Sequence, residues 1–377
     1  GKSLEETLPD GTRQSFDISF IDFEHPENNI FQVTDEFEVE RPNGKFARPD
    51  IVVLVNGIPL VIIECKKSGV DVMDGVTQNI RNWGNDYIPH LFQYSQMVMA
   101  VNPDKVLYGT CGTPAKYFVS WHEDDKEWLN EWCKKCSPDG SVKEQDRALI
   151  SLLHPSRLLD IIRNFIIYDN NVKKICRYKQ YFAVKKCMSR ILLQDGQKTR
   201  NGVVWHTQGS GKTITMIMLT KMILRESLKS DSIIKKPRFV MVTDRVNLDK
   251  QVRDNFIHTQ MSPHRAKTGT GLIELLQDEG NTVITSLVNK FEAAIKQEYC
   301  NDSENLFLFI DEGHRTQYGK LNIYMNKVLP HAVKIAFTGT PLIKKPKKND
   351  KRNIESEKNT YVKFGPLIDK YTLQDAI

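Results

Sequence analysis

The sequence predicts an α/β fold with two successive sheets, a small antiparallel or mixed sheet followed by a parallel sheet with both faces covered. Between residues 15 and 65, short apolar runs are separated by turn residues, a pattern typical of short paired strands. From about residue 170, apolar runs of strand length alternate with helical stretches, which indicates a parallel sheet. The 377 residues are too many for one ordinary core, so we expect two domains or more.

The predicted strands of the first part are residues 16–23, 31–39, 51–55 and 58–63. Those of the second part are residues 203–205, 239–242, 282–285, 306–310 and 334–337. Mixed helix and strand are expected up to about residue 122. The polar, tryptophan-containing stretch up to residue 146 predicts an irregular insertion or a surface helix.

Composition favours a water-soluble globular protein, with 40% hydrophobic and 27% charged residues. No apolar run is long enough for a membrane span and the N-terminus lacks a basic-then-apolar signal segment, so we expect a cytoplasmic protein without a membrane partner. The abrupt polar start suggests that part of the N-terminus is missing. A net charge of +6 allows a polyanionic partner, and seven scattered cysteines fit a reducing compartment.

Residues 49–66 contain a candidate metal site. Pro49-Asp50 is followed after thirteen residues by Glu64-Cys65-Lys66. Phosphodiester cleavage needs a divalent cation that polarises the phosphate and helps to form hydroxide, and a nearby positive charge. Asp50 and Glu64 are therefore candidate Mg²⁺ ligands and catalytic residues, with Lys66 as the catalytic cation. Glu64 and Lys66 are two apart on a predicted strand, so they project from one face.

Whether Asp50 reaches that face depends on the register of the hairpin at Asn56-Gly57, a dipeptide typical of tight turns. A plain two-residue turn would place Asp50 opposite Ile63 and away from Glu64. We therefore predict a three-residue loop with a left-handed glycine, or a bulge near Asp50. Either would shift the register by one residue and bring the two carboxylates together.

A hairpin with charged, solvated ends is the alternative interpretation of this spacing. Two details favour the metal site. Glu64 ends an almost unbroken apolar run, where an unpaired carboxylate would be costly. Gln78 and Arg81 follow on a predicted helix, placed to support the site, and Gln78 is included among the candidate catalytic residues.

A second motif predicts a phosphate-binding loop. The apolar strand Val203-Val204-Trp205 is followed by Gly209-Ser210-Gly211-Lys212-Thr213 and then by a helical stretch to Leu224, which is the context that such a loop requires. Its glycines allow main-chain N–H groups to converge on phosphate oxygens at the helix N-terminus. The full pattern has Gly or Ala at position 206, where this chain has His206.

Five side chains are assigned roles around a bound ATP. Lys212 would reach the β- and γ-phosphates, and Thr213 would ligate Mg²⁺. Asp311 ends an apolar strand at the ligand-facing edge of a parallel sheet and would hold Mg²⁺ through water, while Glu312 would orient the attacking water. A solvated acidic strand end is the alternative. Gln180, just before this domain, is placed to contact adenine.

Several motifs occur in the order of the superfamily 2 helicase motifs: Gly209–Thr213, Thr243-Asp244-Arg245, Thr285-Ser286, Asp311–His314 and Thr338-Gly339-Thr340-Pro341. Together with the upstream Asp50, Glu64 and Lys66, the chain resembles the restriction (R) subunit of type I restriction-modification enzymes. The similarity runs from about residue 15 to the end, and Trp205–Thr213 and Gly112–Lys116 also resemble that family.

The resemblance implies a PD-(D/E)xK nuclease domain fused to a RecA-like motor that translocates double-stranded DNA before cutting it, with Mg²⁺ and ATP as cofactors. It implies methylation (M) and specificity (S) subunits as partners. It also implies that Thr338 and Thr340 couple the state of ATP to the grip on DNA. Some relatives have Gln, three residues and then Tyr behind the nuclease lysine. Here Asn82 takes the Tyr position, so only Gln78 carries over.

We accordingly assign residues 1–168 to an endonuclease domain and residues 169–345 to a first RecA-like, ATP-binding domain. Residues 346–377, with part of the basic run 344–352, are assigned to a loop and the start of a connection to a second RecA-like domain. Such a domain needs on the order of 150 residues, more than follow Pro341. We therefore expect a fragment of a longer subunit, which binds ATP but hydrolyses it poorly.

Two other functions stay open. One is a stand-alone defence or repair nuclease-ATPase that needs no methylation partner. The other is a docking module with an inactive front site and a lobe that only senses ATP.

Overall fold

The computed structural model describes residues 2–137, 139–193, 199–280, 282–311, 318–341, 360–372 and 375. Glu312 and the basic run 344–352 lie outside the described residues. The fold is α/β, as predicted, and the chain forms two compact units. The first contains residues 1–166 and 172–178, and the second contains residues 167–171 and 179–377. The chain passes between the two units within residues 166–179.

The first unit begins with strands, and helices and further strands follow along the chain. They are β1 (Lys2–Thr7), β2 (Arg13–Ile18), β3 (Phe31–Asp35), β4 (Val39–Glu40), β5 (Phe46–Ala47), β6 (Ile51–Val55), β7 (Ile58–Cys65), β8 (Met97–Asn102) and β9 (Lys105–Gly109). The helices are α1 (Val72–Asn82), α2 (Pro89–Phe92), α3 (Lys126–Cys136), α4 (Glu144–Leu153) and α5 (Pro155–Asn164). β10 (Ile166–Asp169) and β11 (Val172–Ile175) follow at the boundary.

The main sheet of the first unit has five strands in the order β3-β6-β7-β8-β9, and only the β7–β8 pair within it is parallel. The predicted mixed sheet is therefore confirmed. One prediction for this unit needs correction. The apolar run 16–23 is not a strand of this sheet, because β2 ends at Ile18 and pairs with β1. Of the two alternatives for the stretch up to residue 146, the structure has the helical one, since α3 lies within it and α4 begins at Glu144.

Helix α1 packs closely on the parallel pair at the centre of the sheet. Its residues Val72 and Val76 are buried in one cluster with Ile62 and Ala100. A Cβ atom at Gly75 would lie 3.0 Å from the Cβ of Ala100, so glycine lets the helix come this near to the strands. The N-terminus of α1 is capped by the carboxylate of Asp71, which accepts from the main-chain nitrogen of Met73 at 2.9 Å. Side chains on α1 are thereby held above the carboxyl end of β7.

The second unit alternates helices with parallel strands. Its helices are α6 (Tyr178–Ile191), α7 (Lys212–Glu226), α8 (Val246–His258), α9 (Gly269–Gln277), α10 (Lys290–Lys296), α11 (Tyr318–Val328) and α12 (Thr360–Phe364). Its strands are β12 (Gly202–His206), β13 (Arg238–Thr243), β14 (His264–Arg265), β15 (Val283–Leu287), β16 (Leu306–Asp311), β17 (Val333–Thr338) and β18 (Leu367–Tyr371).

These seven strands form one parallel sheet in the order β14-β15-β13-β16-β17-β12-β18. The five predicted strands are confirmed. The short β14 and the edge strand β18 were not predicted as strands. Apolar side chains are buried on both faces, including a row of phenylalanine rings at 239, 307, 309 and 337. Because all strands are parallel, the ends of β12, β17 and β16 lie side by side at one edge of the sheet.

Within the described residues, no helix combines the length and the apolar character that a membrane crossing requires.

Candidate functional site

The hairpin of β6 and β7 sets the geometry of the first site. Asn56 and Gly57 both have positive φ angles, +51° and +80°, which is the geometry of a two-residue type I′ turn. The expected three-residue loop is therefore wrong. The Asn-Gly pair adopts the tight turn because its backbone twist matches that of the flanking strands.

The predicted one-residue offset is nevertheless present. The pairing shifts between Val53 and Leu54, so that Ile51 faces Ile63. The shift is a bulge near the turn, one residue inserted into β7, rather than near Asp50. Continuing this register by one residue places Asp50 opposite Glu64, as the metal-site hypothesis requires.

The two carboxylates lie close enough for the charge of Asp50 to act on the Glu64 carboxyl group. Oδ2 of Asp50 accepts from the main-chain nitrogen of Cys65 at 2.6 Å. Glu64 is completely buried. Its Oε1 accepts from Nδ2 of Asn82 at 2.9 Å, whereas its Oε2 has no hydrogen-bond partner in the described structure.

Burial, and next the negative charge of the neighbouring Asp50, raise the pKa of Glu64 to about 8. The positive charges of Lys66 and Arg81 act in the opposite direction but are smaller effects. A buried carboxylate with an unpartnered oxygen beside a second carboxylate is costly in the ionised form. A bound cation would remove that cost.

Lys66 is held by the helix above the strand. Its Nζ donates to Oε1 of Gln78 at 2.7 Å, and Gln78 is on α1. Asn82 lies one helical turn further along α1 and therefore on the same face, where it contacts Glu64. The helix thus positions both strand residues. Gln78 was predicted to support the site; Asn82 was missed, although its spacing from Gln78 was a signal that could have found it.

The residues fit a hard divalent cation. Mg²⁺ and Mn²⁺ prefer oxygen ligands such as carboxylates. Asp50 and Glu64 supply such oxygens, and Oε2 of Glu64 has no other partner in the described structure. Within the described residues, no three His, Cys, Asp or Glu side chains are grouped to hold a metal. An ion here would therefore take further ligands from water or phosphate, as Mg²⁺ commonly does.

The second site is the loop between β12 and α7. Gly209 and Gly211 have φ angles of +81° and +82°, a conformation that favours glycine. Gly211 is left-handed and forms the N-cap of α7, so the first N–H groups of the helix face the loop. This is the arrangement that binds phosphate at a helix N-terminus.

Lys212, the first residue of α7, reaches back across the loop. Its Nζ donates to the main-chain oxygen of His206 at 3.5 Å. Trp205 donates from Nε1 to the main-chain oxygen of Gly339 at 3.0 Å, which ties β12 to the segment after β17. The main-chain nitrogen of Thr340 donates to Oγ1 of Thr338 at 3.3 Å. The segment predicted to couple ATP to DNA thus lies directly beside the phosphate loop.

Three further predicted residues are near this edge of the sheet. Asp311 is buried at the carboxyl end of β16, and Thr213 is half-buried in the first turn of α7. Glu312 lies outside the described residues. Gln180 is buried on α6 and donates from Nε2 to the main-chain oxygen of Gly211 at 3.3 Å. It therefore contacts the phosphate loop, and its role toward adenine stays a prediction.

His206, which departs from the usual loop pattern, is fully buried. Its Nε2 lies 2.7 Å from Oδ2 of Asp369, and Nζ of Lys186 donates to the other oxygen, Oδ1, at 2.7 Å. Burial raises the pKa of Asp369, but the hydrogen bonds from His206 and Lys186 outweigh it and hold that pKa below its ordinary value. The edge strand β18 is thereby fixed to the start of the loop. Neither Lys186 nor Asp369 was predicted.

Comparison with known proteins gives two matches to family models. Residues 179–377 match the SWI2/SNF2 ATPase family. Residues 2–117 match the N terminus of the type I restriction enzyme R protein. The first region contains the phosphate loop and the parallel sheet, and the second contains the paired carboxylates.

Two curated relatives align with nearly all of the chain. One, from Methanocaldococcus jannaschii, is provisionally named as the endonuclease subunit of the type I restriction enzyme MjaIXP. It is 31% identical over 408 residues, which cover 100% of this chain and 37% of the relative. The other is the type I restriction enzyme HindI endonuclease subunit of Haemophilus influenzae, 30% identical over 390 residues, which cover 96% of this chain and 35% of the relative.

Among solved structures, a nuclease-deletion mutant of the Type ISP restriction-modification enzyme LlaGI, in complex with a DNA substrate mimic, aligns with a TM-score of 0.38 and 16% identity. The alignment covers 53% of this chain and 20% of that one.

A helicase-like ATPase region joined to a restriction-enzyme N-terminal region defines the class. The chain belongs to the SWI2/SNF2 ATPase family. Its N-terminal region matches the R protein of type I restriction enzymes, and the two curated relatives are named as endonuclease subunits of such enzymes. The resemblance inferred from the motifs is therefore confirmed. The chain spans 37% and 35% of the lengths of the two relatives.

Proposed function

We propose that the first unit is a Mg²⁺-dependent endonuclease for double-stranded DNA and that the second is the first ATP-binding lobe of a DNA-translocating motor. The observation that carries the proposal is the convergence of Asp50, Glu64 and Lys66 at the carboxyl end of one strand. The relatives named as type I restriction endonuclease subunits support it.

In the nuclease, a bound Mg²⁺ would polarise the scissile phosphate and lower the pKa of a water molecule. The other roles belong to side chains of the chain itself. Asp50 and Glu64 would hold the ion, and Asn82 orients Glu64 by its hydrogen bond. Lys66 stabilises the negative charge that develops on the phosphate, in an orientation set by Gln78.

In the motor lobe, the glycines of residues 209–213 present main-chain N–H groups to the triphosphate, and Lys212 contacts its outer phosphates. Thr213 and Asp311 would hold the accompanying Mg²⁺. Glu312 orients the attacking water, and Gln180 contacts adenine. Thr338 and Thr340 couple the state of the nucleotide to the grip on DNA.

We assign the endonuclease to residues 1–168, the motor lobe to residues 169–345 and a connection toward a second lobe to residues 346–377. We propose that the motor lobe by itself binds ATP but hydrolyses it poorly. The M and S subunits of a type I system are its proposed partners and the cytoplasm its proposed location, which is supported by seven free cysteines.

Nicking of supercoiled plasmid tests the nuclease. We expect Mg²⁺-dependent nicking that is lost in Glu64→Ala and in Lys66→Ala. Lys67→Ala is the matched control, because Lys67 is the next lysine and is exposed. Nicking that persists in both site variants, or that is absent under all conditions including added M and S subunits, would exclude the nuclease.

Equilibrium binding of a fluorescent ATP analogue tests the second site. We expect Mg²⁺-dependent binding by the wild-type chain and at least tenfold weaker binding by Lys212→Ala, because the outer phosphates lose their cation. Lys250→Ala, at an exposed lysine on α8, should bind as the wild type does. Rapid DNA-stimulated ATP hydrolysis by this chain alone would contradict the proposed poor turnover.

Co-purification with M and S subunits tests the proposed assembly. Stable capture of an M–S complex would favour the type I system. Nuclease activity that proceeds fully without any partner, and no capture, would favour a stand-alone nuclease-ATPase.

A further inference from the structure

Two arginines share one aromatic ring beside the nuclease site. The guanidinium carbon of Arg41 lies 4.0 Å from the ring centroid of Tyr87, and that of Arg81 lies 5.0 Å from the same centroid. Arg41 follows β4, Arg81 is on α1, and Tyr87 is in the segment between α1 and α2. Guanidinium groups stack favourably on aromatic rings, which limits their motion.

Neither guanidinium forms an ion pair within the described residues. The Nε and Nη2 atoms of Arg41 donate to the main-chain oxygen of Asp86, both at 3.4 Å. Nη2 of Arg81 donates to Oδ1 of Asn82 at 3.4 Å. By contrast, Arg48 on the same hairpin as Arg41 is paired with Glu38.

Two like charges held on one ring repel each other unless an anion lies near them. Each guanidinium has five N–H donors in a fork that matches a phosphate group, and the bonds just described use only some of them. The pair is therefore suited to a phosphate or carboxylate ligand. The position of the arginine pair in the fold indicates which of the two, phosphate or carboxylate, is the ligand.

The pair adjoins the proposed cleavage site from both sides along the chain. Arg81 is next to Asn82, which holds Glu64, and it lies close enough for its positive charge to act on Glu64. Arg41 begins the turn of the β4–β5 hairpin, whose second strand leads directly into Pro49-Asp50. A polynucleotide entering the carboxylate site would bring backbone phosphates near both guanidinium groups.

We propose that Arg41 and Arg81, stacked on Tyr87, form a phosphate clamp that binds the backbone of the nucleic acid next to the cleavage site. The clamp rests on the proposed function, because that function supplies the polynucleotide. The arginines act as positioning residues. They hold the strand so that its phosphate meets Asp50 and Glu64, and they contribute affinity that depends on salt.

Duplex binding without divalent ions separates the clamp from the chemistry. We would measure the anisotropy of a labelled duplex with the full chain in EDTA, over a range of salt concentrations. Each phosphate contact contributes about 0.9 to the slope of log K against log salt. Arg41→Ala and Arg81→Ala should each reduce the slope by about 1, which is about eightfold weaker binding at 0.1 M salt.

The double variant should lose about twice as much slope, and Arg41→Lys should keep most of it because the charge remains. Tyr87→Leu keeps both charges but removes their stacking surface, so it should weaken binding with little change in slope. Arg48→Ala is the matched control, since its guanidinium is neutralised by Glu38. Melting temperatures within a degree or so of wild type would establish that each variant is folded.

Cleavage kinetics distinguish DNA binding by the two arginines from a purely structural role, because a structural role would not change KM alone. In the double variant KM should rise with kcat nearly unchanged. An unchanged slope in the double variant, or an equal loss in Arg48→Ala, would overturn the clamp. A reduced slope in a chain that takes up no metal and does not nick DNA would support the clamp while excluding the nuclease. Metal-dependent nicking by a chain whose salt slope is unchanged in the double variant would support the nuclease and exclude the clamp.

Discussion

Nδ2 of Asn82 donates a 2.9 Å hydrogen bond to Oε1 of Glu64, and both side chains are buried. The bond occupies one carboxylate oxygen and leaves Oε2 without a partner in the described structure. An amide in this position fixes the rotation of the carboxylate, and with it the direction of the second oxygen. Asn82 therefore determines where Glu64 can bind an ion.

Asn82→Ala should reduce the affinity for Mn²⁺ and the rate of plasmid nicking by about 10- to 100-fold, the usual effect of losing a residue that orients a metal ligand. Ion affinity can be measured by calorimetry and nicking by gel. Asn85→Ala is the control, because Asn85 is exposed in the loop after the same helix. Equal effects of the two substitutions would show that Asn82 does not orient Glu64.

The pKa of Glu64, about 8 against an ordinary 4.5, predicts an unusual pH dependence in the metal-free chain. The folded state binds this proton more tightly than the unfolded state. The free energy of unfolding should therefore fall as pH rises from about 4.5 to about 8, by up to about 1.4 kcal/mol per pH unit. Urea denaturation at several pH values measures it.

Glu64→Gln should remove this contribution, so the difference between variant and wild type isolates it from other titrating groups. For the same reason, Mn²⁺ uptake by the wild type should release a proton below pH 8 and weaken as pH falls. A stability difference between the two proteins that is constant across this pH range would contradict the raised pKa.

Gly209 and Gly211 offer a matched pair of substitutions, since their φ angles are +81° and +82°. A Cβ at Gly209 would meet nothing within 4 Å, whereas one at Gly211 would lie 2.6 Å from Nε2 of Gln180. Gly209→Ala should cost about 1–2 kcal/mol of stability from the backbone conformation alone. Gly211→Ala should cost roughly 1 kcal/mol more, because Gln180 must give up its hydrogen bond.

A double-mutant cycle with Gln180→Ala tests the cause of the difference. When Gln180 is already alanine, Gly211→Ala should lower the free energy of unfolding by no more than Gly209→Ala does. Denaturation in the absence of nucleotide is the measurement. A difference between the two glycines that persists without the Gln180 amide would assign it to another contact.

Lys186 and Lys229 form ion pairs at similar exposure, 43% and 48% of their side-chain surface, but their partners differ. Asp369 is 7% exposed and Glu226 is 17% exposed. Lys186→Gln should cost about 1–3 kcal/mol, because it weakens the support of a buried carboxylate. Lys229→Gln, at a pair formed within one helix, should cost about 0.5 kcal/mol or less.

The lowered pKa of Asp369 gives this contribution a definite pH dependence. The stabilisation by the Lys186–Asp369 ion pair should be fully present above the unfolded pKa of about 4. It should disappear as pH falls and Asp369 takes up a proton. Thermal or urea unfolding of wild type and Lys186→Gln at pH 7 and at acid pH provides the comparison. An energy difference that stays the same at both pH values would exclude the ion pair as its source.

The sequence predicted the parts of the fold that depend on local pattern. The five central strands of the parallel sheet were recognisable from their apolar runs, because strands buried on both faces contain few polar residues. The phosphate loop was recognisable because its glycines are required by backbone conformation, and both have positive φ in the structure. The pairing of Asp50 with Glu64 at the open end of one hairpin was also predictable. Because the side chains of a strand alternate with a period of two, a one-residue shift in register decides whether the two carboxylates share a face.

The position of the bulge was not predictable in the same way. Residues near the turn could absorb the extra residue at several places, and packing of β7 between β6 and β8 selects one of them. The strand β18 was missed because Asp369 and Lys370 interrupt its apolar character. In the structure, Asp369 is buried because His206 and Lys186 form hydrogen bonds with its two carboxylate oxygens.

The sequence by itself determined which chemical groups the chain has and on which strands and loops they lie. Only the tertiary structure decided their partners: Asn82 for Glu64, Asp369 for His206 and a shared tyrosine for Arg41 and Arg81. Local patterns reflect backbone geometry over a few residues. These partners are separated by 18 and 163 residues in the first two cases, so packing of whole strands and helices selects them.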